Sequence, residues 1–244
     1  MKDFGMLSFS SIKEFNKSPL HFLTYKNKQK KTTPAMRFGS AVHKLVLEFN
    51  DFSNHYAVAP ECDRRTTVGK NTWNEFVESS VGKEVLTADE MNAAIDIRHA
   101  IERHPVASKI VQHCGQREIH FETELFGHKI HGFADGVGDG LVFDLKTTQR
   151  ADERGFGRVI VDESYYIQAA IYASAFGVDE FRFVAVETNA PYMVGTYRLG
   201  PEWIDAGLAK LESILERYDR WDGSAVGYND DKLVTIDVPA FLAI

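Results

Sequence analysis

A chain of 244 residues, 44% of them apolar and 12% aromatic, is long enough to bury a full core as one large domain or two small ones. It has no run of membrane-span length and no signal-peptide pattern, and two cysteines are too few for a disulfide framework or a four-thiolate iron–sulfur site. The formal net charge of −7 argues against general adhesion to nucleic acid, although a local basic surface remains compatible with it. We therefore expect a cytoplasmic protein without a membrane segment.

Apolar residues at helical spacing predict helices through most of the first half of the sequence. A capping-box pattern from Ser11 to Glu14 and the pair Ser18-Pro19 indicate two short helices over 8–25. The next helix contains His43, and a lone helical histidine is more often structural than a metal ligand. Irregular structure is expected over 51–70. The further predicted helices are Met36–Phe49, one that follows Thr87 and ends before Pro105, and Val106–His113.

Two basic clusters interrupt these helices. Lys26 to Lys31 carries four lysines in six residues, and Arg64-Arg65 lies shortly before Trp73. Each fits a solvated loop, and each also fits phosphate contact, for which the guanidinium group offers a fixed fork of donors. Composition alone leaves both interpretations open.

The second half predicts a meander of strands followed by alternating helices and strands. Gly155 and Gly157 indicate a polar loop, and the apolar tail from Leu233 to Ile244 is expected to cover a sheet edge or to meet another subunit. The order of elements predicts an α/β fold with a mixed central sheet flanked by helices, in one domain over residues 1–244. The predicted elements are strands Glu118–Leu125, His128–Val137, Leu141–Thr148, Phe181–Glu187 and Tyr192–Leu199, and helices Ser164–Phe176 and Pro201–Trp221.

The stretch from His131 to Thr148 predicts a β-hairpin that carries candidate functional residues. A two-residue loop at Asp139-Gly140 is a strong hairpin signal, because both positions tolerate positive φ. That loop places Gly138 opposite Leu141, and therefore Asp135 opposite Asp144. Because side chains alternate, Lys146 shares the face of Asp144.

Two carboxylates and a lysine between apolar neighbours form a costly charge cluster that a hard divalent cation would relieve. The carbonyl of Leu145 could add a ligand, and Lys146 could assist an attacking water. The alternative is an exposed hairpin on which Asp144 and Lys146 form a weak surface ion pair. Asp-x-Lys is a common string, so the hairpin alone does not decide between them.

A wider set of motifs resembles the PD-(D/E)XK nuclease superfamily, and within it the RecB-type and phage exonuclease branch. The leading acid matches Asp135, although alanine rather than proline precedes it, and the D/E-x-K signature matches Asp144 and Lys146. A Gln-x-x-x-Tyr helix matches Gln168 and Tyr172, and the upstream Gly-x-x-x-His matches Gly39 to His43. The likeness is greatest to RecE-type exonuclease domains.

The resemblance implies a restriction-endonuclease-like fold and a Mg²⁺-dependent exonuclease, with Mn²⁺ as a possible substitute. It implies attack on double-stranded DNA ends that removes the 5′-ended strand and leaves a 3′ tail for a single-strand annealing protein, carried out by a homo-oligomeric ring of three or four subunits. In the implied roles, His43, Asp135, Asp144 and the Leu145 carbonyl bind metal, Lys146 assists the attacking water, Gln168 and Tyr172 position the strand, and Arg64, Arg65 and the Lys26–Lys31 run contact phosphate.

Two functional alternatives remain. One is an endonuclease on the same fold, and the other is a non-catalytic DNA-binding module. An α/β domain with a merely charged hairpin would bind no divalent cation.

Overall fold

A six-stranded mixed sheet forms the centre of the protein, seen in a computed structural model that describes residues 5–27, 32–138, 140–228 and 233–237. The strands are β1 (Leu7–Ser8), β2 (Tyr56–Val58), β3 (Glu84–Leu86), β4 (Gln116–Leu125), β5 (His128–Gly138), β6 (Leu141–Thr148), β7 (Phe181–Glu187) and β8 (Val194–Leu199). β2 and β3 form a separate parallel pair.

The helices surround this sheet. They are α1 (Phe9–Lys17), α2 (Pro19–Asn27), α3 (Pro34–Leu47), α4 (Phe52–His55), α5 (Thr67–Ser79), α6 (Ala88–Arg103), α7 (Pro105–His113), α8 (Glu153–Asp162), α9 (Tyr165–Phe176) and α10 (Pro201–Arg220), with a 3-10 turn at Phe49–Asp51. Among the described residues, no helix is both long enough and apolar enough to cross a membrane.

In the main sheet the strands follow the order β1-β5-β6-β7-β8, and β4 pairs with β5. The β4–β5, β5–β6 and β7–β8 pairs are antiparallel, whereas β1–β5 and β6–β7 are parallel. The parallel β6–β7 pair requires a crossover, and α8 and α9 supply it.

Two hydrophobic cores lie on opposite faces of the sheet. α1, α2, α8, α9 and α10 pack into one core, and α3, α6 and α7 pack into the other. Alternate residues of β7 enter alternate cores: Phe181 and Phe183 join the first, and Val184 and Val186 join the second. Burial of both faces explains why most residues in the middle of β6 and β7 are apolar.

The predicted α/β class with a mixed sheet flanked by helices is confirmed, and the strands of the meander lie within two residues of their predicted bounds. The hairpin register is also confirmed, because Gly138 pairs with Leu141 and Gly136 with Phe143. Asp139 of the predicted loop lies outside the described residues, as do Lys28, Lys30 and Lys31 and most of the predicted tail. Leu233 and Ile236, from the described part of that tail, are almost fully exposed.

Three local predictions were wrong. The glycine-containing segment predicted as a loop is helix α8, because Asp152 caps it by accepting from the amide of Gly155, and Phe156 and Ile160 give it a buried face. Within 51–70, the structure contains α4 and β2, the latter stabilised by pairing with the distant β3. The first capping box is built on Ser8 and Ser11 instead of Ser11 and Glu14.

Candidate active site

The candidate site lies at a fork in the sheet. One edge of β5 pairs with β4, while the other pairs with β1 at Ile130–His131 and with β6 at 136–138. Asp135 lies in the gap between those two pairings. Beyond Phe143, β6 is paired with β7 instead of β5. The backbone amide of Leu145 therefore makes no ladder hydrogen bond to β5. Instead, it donates a hydrogen bond of 2.6 Å to Oδ2 of Asp135.

A close contact between Gly136 and Phe143 lies next to the fork. A Cβ at Gly136 would lie 2.0 Å from Cε1 of Phe143, whose ring is fully buried. The ring therefore packs directly over the backbone of β5. This contact fixes the last pair of the hairpin ladder immediately before Asp135 and Asp144.

Asp144 forms one half of the site together with Lys146 and Gln168. Asp144 is 3% exposed; Lys146 Nζ lies 2.6 Å from its Oδ2, and Gln168 Nε2 donates to its Oδ1 at 2.7 Å. The contact with Lys146 is an ion pair without well-directed hydrogen-bond geometry. Lys146 Nζ also lies 4.5 Å from the ring centroid of Tyr165, at the start of α9. The structure thus brings the predicted Asp144, Lys146 and Gln168 into direct contact.

Asp135 forms the other half with His43. His43 Nδ1 lies 3.4 Å from Oδ2 of Asp135. Gly39, one turn before His43 on α3, brings the helix close to β6, since a Cβ there would lie 3.2 Å from Oγ1 of Thr147. The Gly-x-x-x-His spacing therefore has a physical basis: the glycine permits the approach, and the histidine then reaches Asp135.

Glu118 of β4 is a third member of this half that the sequence did not predict. One donor atom each of His43, Glu118 and Asp135 lies within 4.8 Å of the other two. Glu118 has a left-handed φ of +50°, unusual for a residue other than glycine. Alternation of side chains along β4 did not by itself predict that Glu118 belongs to the site. The only signal in the sequence was that Glu118 lies as far before the β4–β5 turn as Asp135 lies after it.

Burial and neighbouring charges shift the pKa of each group. Burial raises the pKa of Asp144 to about 6, and Lys146 only partly offsets this. Burial also opposes ionisation of Asp135, but the nearby His43 and the hydrogen bonds from His43 and Leu145 outweigh it and hold the pKa of Asp135 below its usual value. Burial and then the charge of Asp135 raise the pKa of Glu118 to about 7.

The two basic groups shift upward. Burial works against the charge of Lys146, but Asp144, Tyr165 and Asp135 together raise its pKa above the usual value. Burial likewise opposes protonation of His43. The negative charge of Asp135 outweighs this effect, so the pKa of His43 is raised. Without a cation, the cluster is thus a set of mutually compensating charges.

Two cavities reach the cluster. The first, of about 810 Å³, is lined by Lys146, Gln168 and Tyr172 and also by Lys13 and Lys26 of the N-terminal helices. The second, of about 680 Å³, is lined by His43, Glu118 and Asp135. Tyr172, one turn after Gln168 on α9, is 6% exposed, and burial raises its pKa to about 12.

The predicted phosphate contacts are only partly at the site. Lys26 lines the first cavity. Arg64 lies over the ring of Trp73, 4.3 Å from its centroid, and Arg65 is paired with Asp63. Neither arginine lines the two cavities that reach the acidic cluster.

The donor set suits a hard divalent cation. Carboxylate oxygens from Asp135 and Glu118 and an imidazole nitrogen converge within 4.8 Å. Gln168 Oε1, buried beside Asp144, has no hydrogen-bond partner among the described residues. The residues present therefore fit the metal that a PD-(D/E)XK-type site requires.

The fold and this constellation define a PD-(D/E)XK-like protein. The chain belongs to the family described as PDDEXK-like domain of unknown function (DUF3799), whose model matches residues 8–225. No curated protein sequence matches the chain significantly.

Solved structures share the fold at low sequence identity. A candidate exonuclease from Eubacterium rectale superposes with a TM-score of 0.63 at 14% identity, covering 97% of this chain and 92% of its own. The alkaline exonuclease LHK-Exo from Laribacter hongkongensis gives a TM-score of 0.25 at 15% identity, over 64% of this chain and 86% of its own. LHK-Exo in complex with dAMP gives 0.32 at 12% identity, over 76% and 91%. Of these three structures, the one from Eubacterium rectale has a TM-score high enough to support the fold.

Proposed function

We propose that this protein is a divalent-metal-dependent nuclease, and specifically an exonuclease that degrades the 5′-ended strand of duplex DNA. The observation that carries the proposal is the convergence of Asp135, Asp144 and Lys146 at the sheet fork, with His43 and Gln168 in contact with them. Binding of DNA alone would require no buried carboxylates beside a partly buried lysine, because phosphate is bound by positive groups.

Each residue has a distinct proposed role. His43, Asp135, Asp144 and the carbonyl of Leu145 hold Mg²⁺, for which Mn²⁺ can substitute. Bound Mg²⁺ would supply charge neutralisation and polarisation of the phosphodiester. Gln168 orients Asp144 through its hydrogen bond of 2.7 Å.

Lys146 contributes positive charge and orients the attacking water. Its pKa is raised, so the ammonium form persists at neutral pH in the metal-free protein. A partly buried ammonium held in place beside the reacting phosphate stabilises negative charge that develops there, and it needs little reorganisation when the charge appears. Tyr165, whose ring packs against Nζ, limits the movement of this side chain.

The DNA strand lies in the first cavity in this proposal. Lys13, Lys26 and Lys146 give this cavity positive groups, and Gln168 and Tyr172 position the scissile strand within it. The exposed Arg64 and Arg65 contact phosphates farther along the duplex. A ring of three or four subunits would bring such contacts around the DNA, and the 3′ tail would pass to a single-strand annealing protein in the cytoplasm.

The deciding experiment compares linear duplex with covalently closed circular duplex in Mg²⁺, with one strand of the linear duplex labelled at its 5′ or 3′ end. We expect immediate release of the 5′ label, retention of the 3′ label until late, an intact circle, and no reaction in EDTA. Cutting of the circle would establish an endonuclease, and early release of the 3′ label would reverse the polarity. Cleavage of neither DNA in Mg²⁺ or Mn²⁺ would overturn the nuclease proposal.

A further inference from the structure

Glu118 lies where a carboxylate is unfavourable unless something binds it. In the β4–β5 ladder, Arg117 pairs with Gly136 and Ile119 with Ala134, so Glu118 lies at the level of Asp135. Like charges on opposite strands repel each other. The left-handed φ of Glu118 interrupts the regular strand at this position. Both features cost stability, and among the described residues neither serves a hydrogen bond or salt bridge of Glu118 that would explain it.

The charge of Glu118 is compensated only in part by its neighbours. Within the described part of the chain, no group donates a hydrogen bond to its carboxylate and no salt bridge reaches it, and the charges of His43 and Lys44 offset its burial only partly. Lys44, which lines the same cavity, is engaged at 2.8 Å by Glu48 and at 2.7 Å by Asp51. The carboxylate is half-buried, so water compensates for it only in part.

The three donors around this point have the chemistry of a cation site. His43, Glu118 and Asp135 each offer an atom within 4.8 Å of the others, and Asp135 also accepts from Leu145 at 2.6 Å, which fixes its orientation. Such second hydrogen bonds are how proteins orient metal ligands. The second cavity gives this group access to solvent, so an ion has a path of entry.

We infer that Glu118 is a metal ligand, and that with His43 and Asp135 it holds a divalent cation facing the second cavity. This position is separate from one between Asp135 and Asp144, and Asp135 would belong to both. The inference rests on the proposed metal-dependent nuclease and adds a ligand that the Asp-x-Lys signature does not contain. Two ions that share a carboxylate can stabilise both the entering and the leaving oxygen of a phosphodiester.

Ion binding can be measured without DNA. The metal-free protein is titrated with Mn²⁺, and free Mn²⁺ is followed by electron paramagnetic resonance. We expect Glu118→Gln to weaken one class of bound Mn²⁺ at least tenfold. Glu124→Gln is the matched control, because Glu124 is exposed on the same strand opposite Lys129, and it should bind as wild type does. Wild-type affinity and stoichiometry in Glu118→Gln would overturn the inference.

A second measurement locates the ion directly. Fe²⁺ with ascorbate and peroxide generates hydroxyl radicals where it binds, and these cleave the nearby backbone. Wild type should be cut near His43, Glu118 and Asp135, and Glu118→Gln should lose the cuts near His43 and Glu118. Cuts confined to Asp144 and its neighbours would contradict the inference.

These results separate the inference from the proposed function. Mn²⁺ binding that depends on Glu118, in a protein that cleaves no DNA, would support the ligand and reject the nuclease. If the wild type cleaves DNA and Glu118→Gln binds Mn²⁺ as the wild type does, the nuclease is supported and Glu118 is rejected as a ligand. Circular dichroism of each variant in EDTA establishes that it is folded.

Discussion

The amide of Leu145 donates a hydrogen bond of 2.6 Å to Oδ2 of Asp135. In a regular hairpin this amide would donate to the backbone of β5, whereas here it holds the side-chain carboxylate of Asp135. Asp135 consequently remains at the fork, where His43 lies 3.4 Å away. Asp135 is 8% exposed, so its carboxylate depends on these partners to remain ionised.

Asp135→Asn should lower Mn²⁺ affinity at least tenfold while the fold is kept. The asparagine carbonyl can still accept from Leu145, so the hydrogen bond survives and the negative charge that attracts the cation is lost. Calorimetric titration of the metal-free variant measures this. Asp205→Asn, which alters an exposed residue on α10, is the control and should bind as wild type does. Unchanged affinity in Asp135→Asn would remove Asp135 from the ligand set.

Lys146→Met should reduce hydrolysis of linear duplex by about 100-fold or more, the usual loss when a preorganised electrostatic contact to a reacting group is removed. Methionine keeps most of the apolar stem against Tyr165, and Asp144 can take up a proton because burial already raises its pKa to about 6. The variant should therefore fold and bind DNA within a few-fold of wild type, as measured by gel shift in Ca²⁺.

Lys129→Met, which removes an exposed lysine from the same strand as Asp135, controls for loss of positive charge and should cleave normally. Cleavage by Lys146→Met at the wild-type rate would show that the Lys146 ammonium does not take part in the reaction.

The sequence predicted the parts of the site that depend on local periodicity. The Asp-Gly turn and strand alternation gave the hairpin register, and helical spacing gave Gln168 and Tyr172 one turn apart. Glu118 was missed because it joins the site through a left-handed φ, and a glutamate gives no local sign of that conformation. β2 was missed because its partner β3 lies far along the chain, and α8 was missed because two glycines obscured its buried face.

The stability of the metal-free protein should fall as pH rises through the titration of Glu118. Burial and Asp135 raise the pKa of Glu118 from 4.5 to about 7, with smaller influences from His43, Glu48 and Lys44. Because the folded state then binds this proton more tightly than the unfolded chain, stability contributed by the protonated form is lost between about pH 4.5 and pH 7.

Glu118→Gln should remove this dependence. In EDTA at pH 8 the variant should be more stable than wild type by about 1–2 kcal/mol, a figure reduced for partial solvent screening, and at pH 4 the two should be equal. Urea unfolding at the two pH values measures the difference. Glu124→Gln should follow wild type, and equal stabilities of Glu118→Gln and wild type at pH 8 would show that Glu118 carries no such penalty.

Gly136→Ala should destabilise the protein by about 2–3 kcal/mol, because the new methyl group would lie 2.0 Å from the buried ring of Phe143 and an overpacked core must shift. Denaturant unfolding in EDTA measures this loss without any contribution from metal. Gly157→Ala is the matched control: nothing lies within 4 Å of a Cβ at Gly157, and this residue is inside α8. Alanine there should stabilise by about 0.5–1 kcal/mol, as in a helix interior. Wild-type stability of Gly136→Ala would show that the contact between Phe143 and Gly136 does not fix the hairpin register beside Asp135 and Asp144.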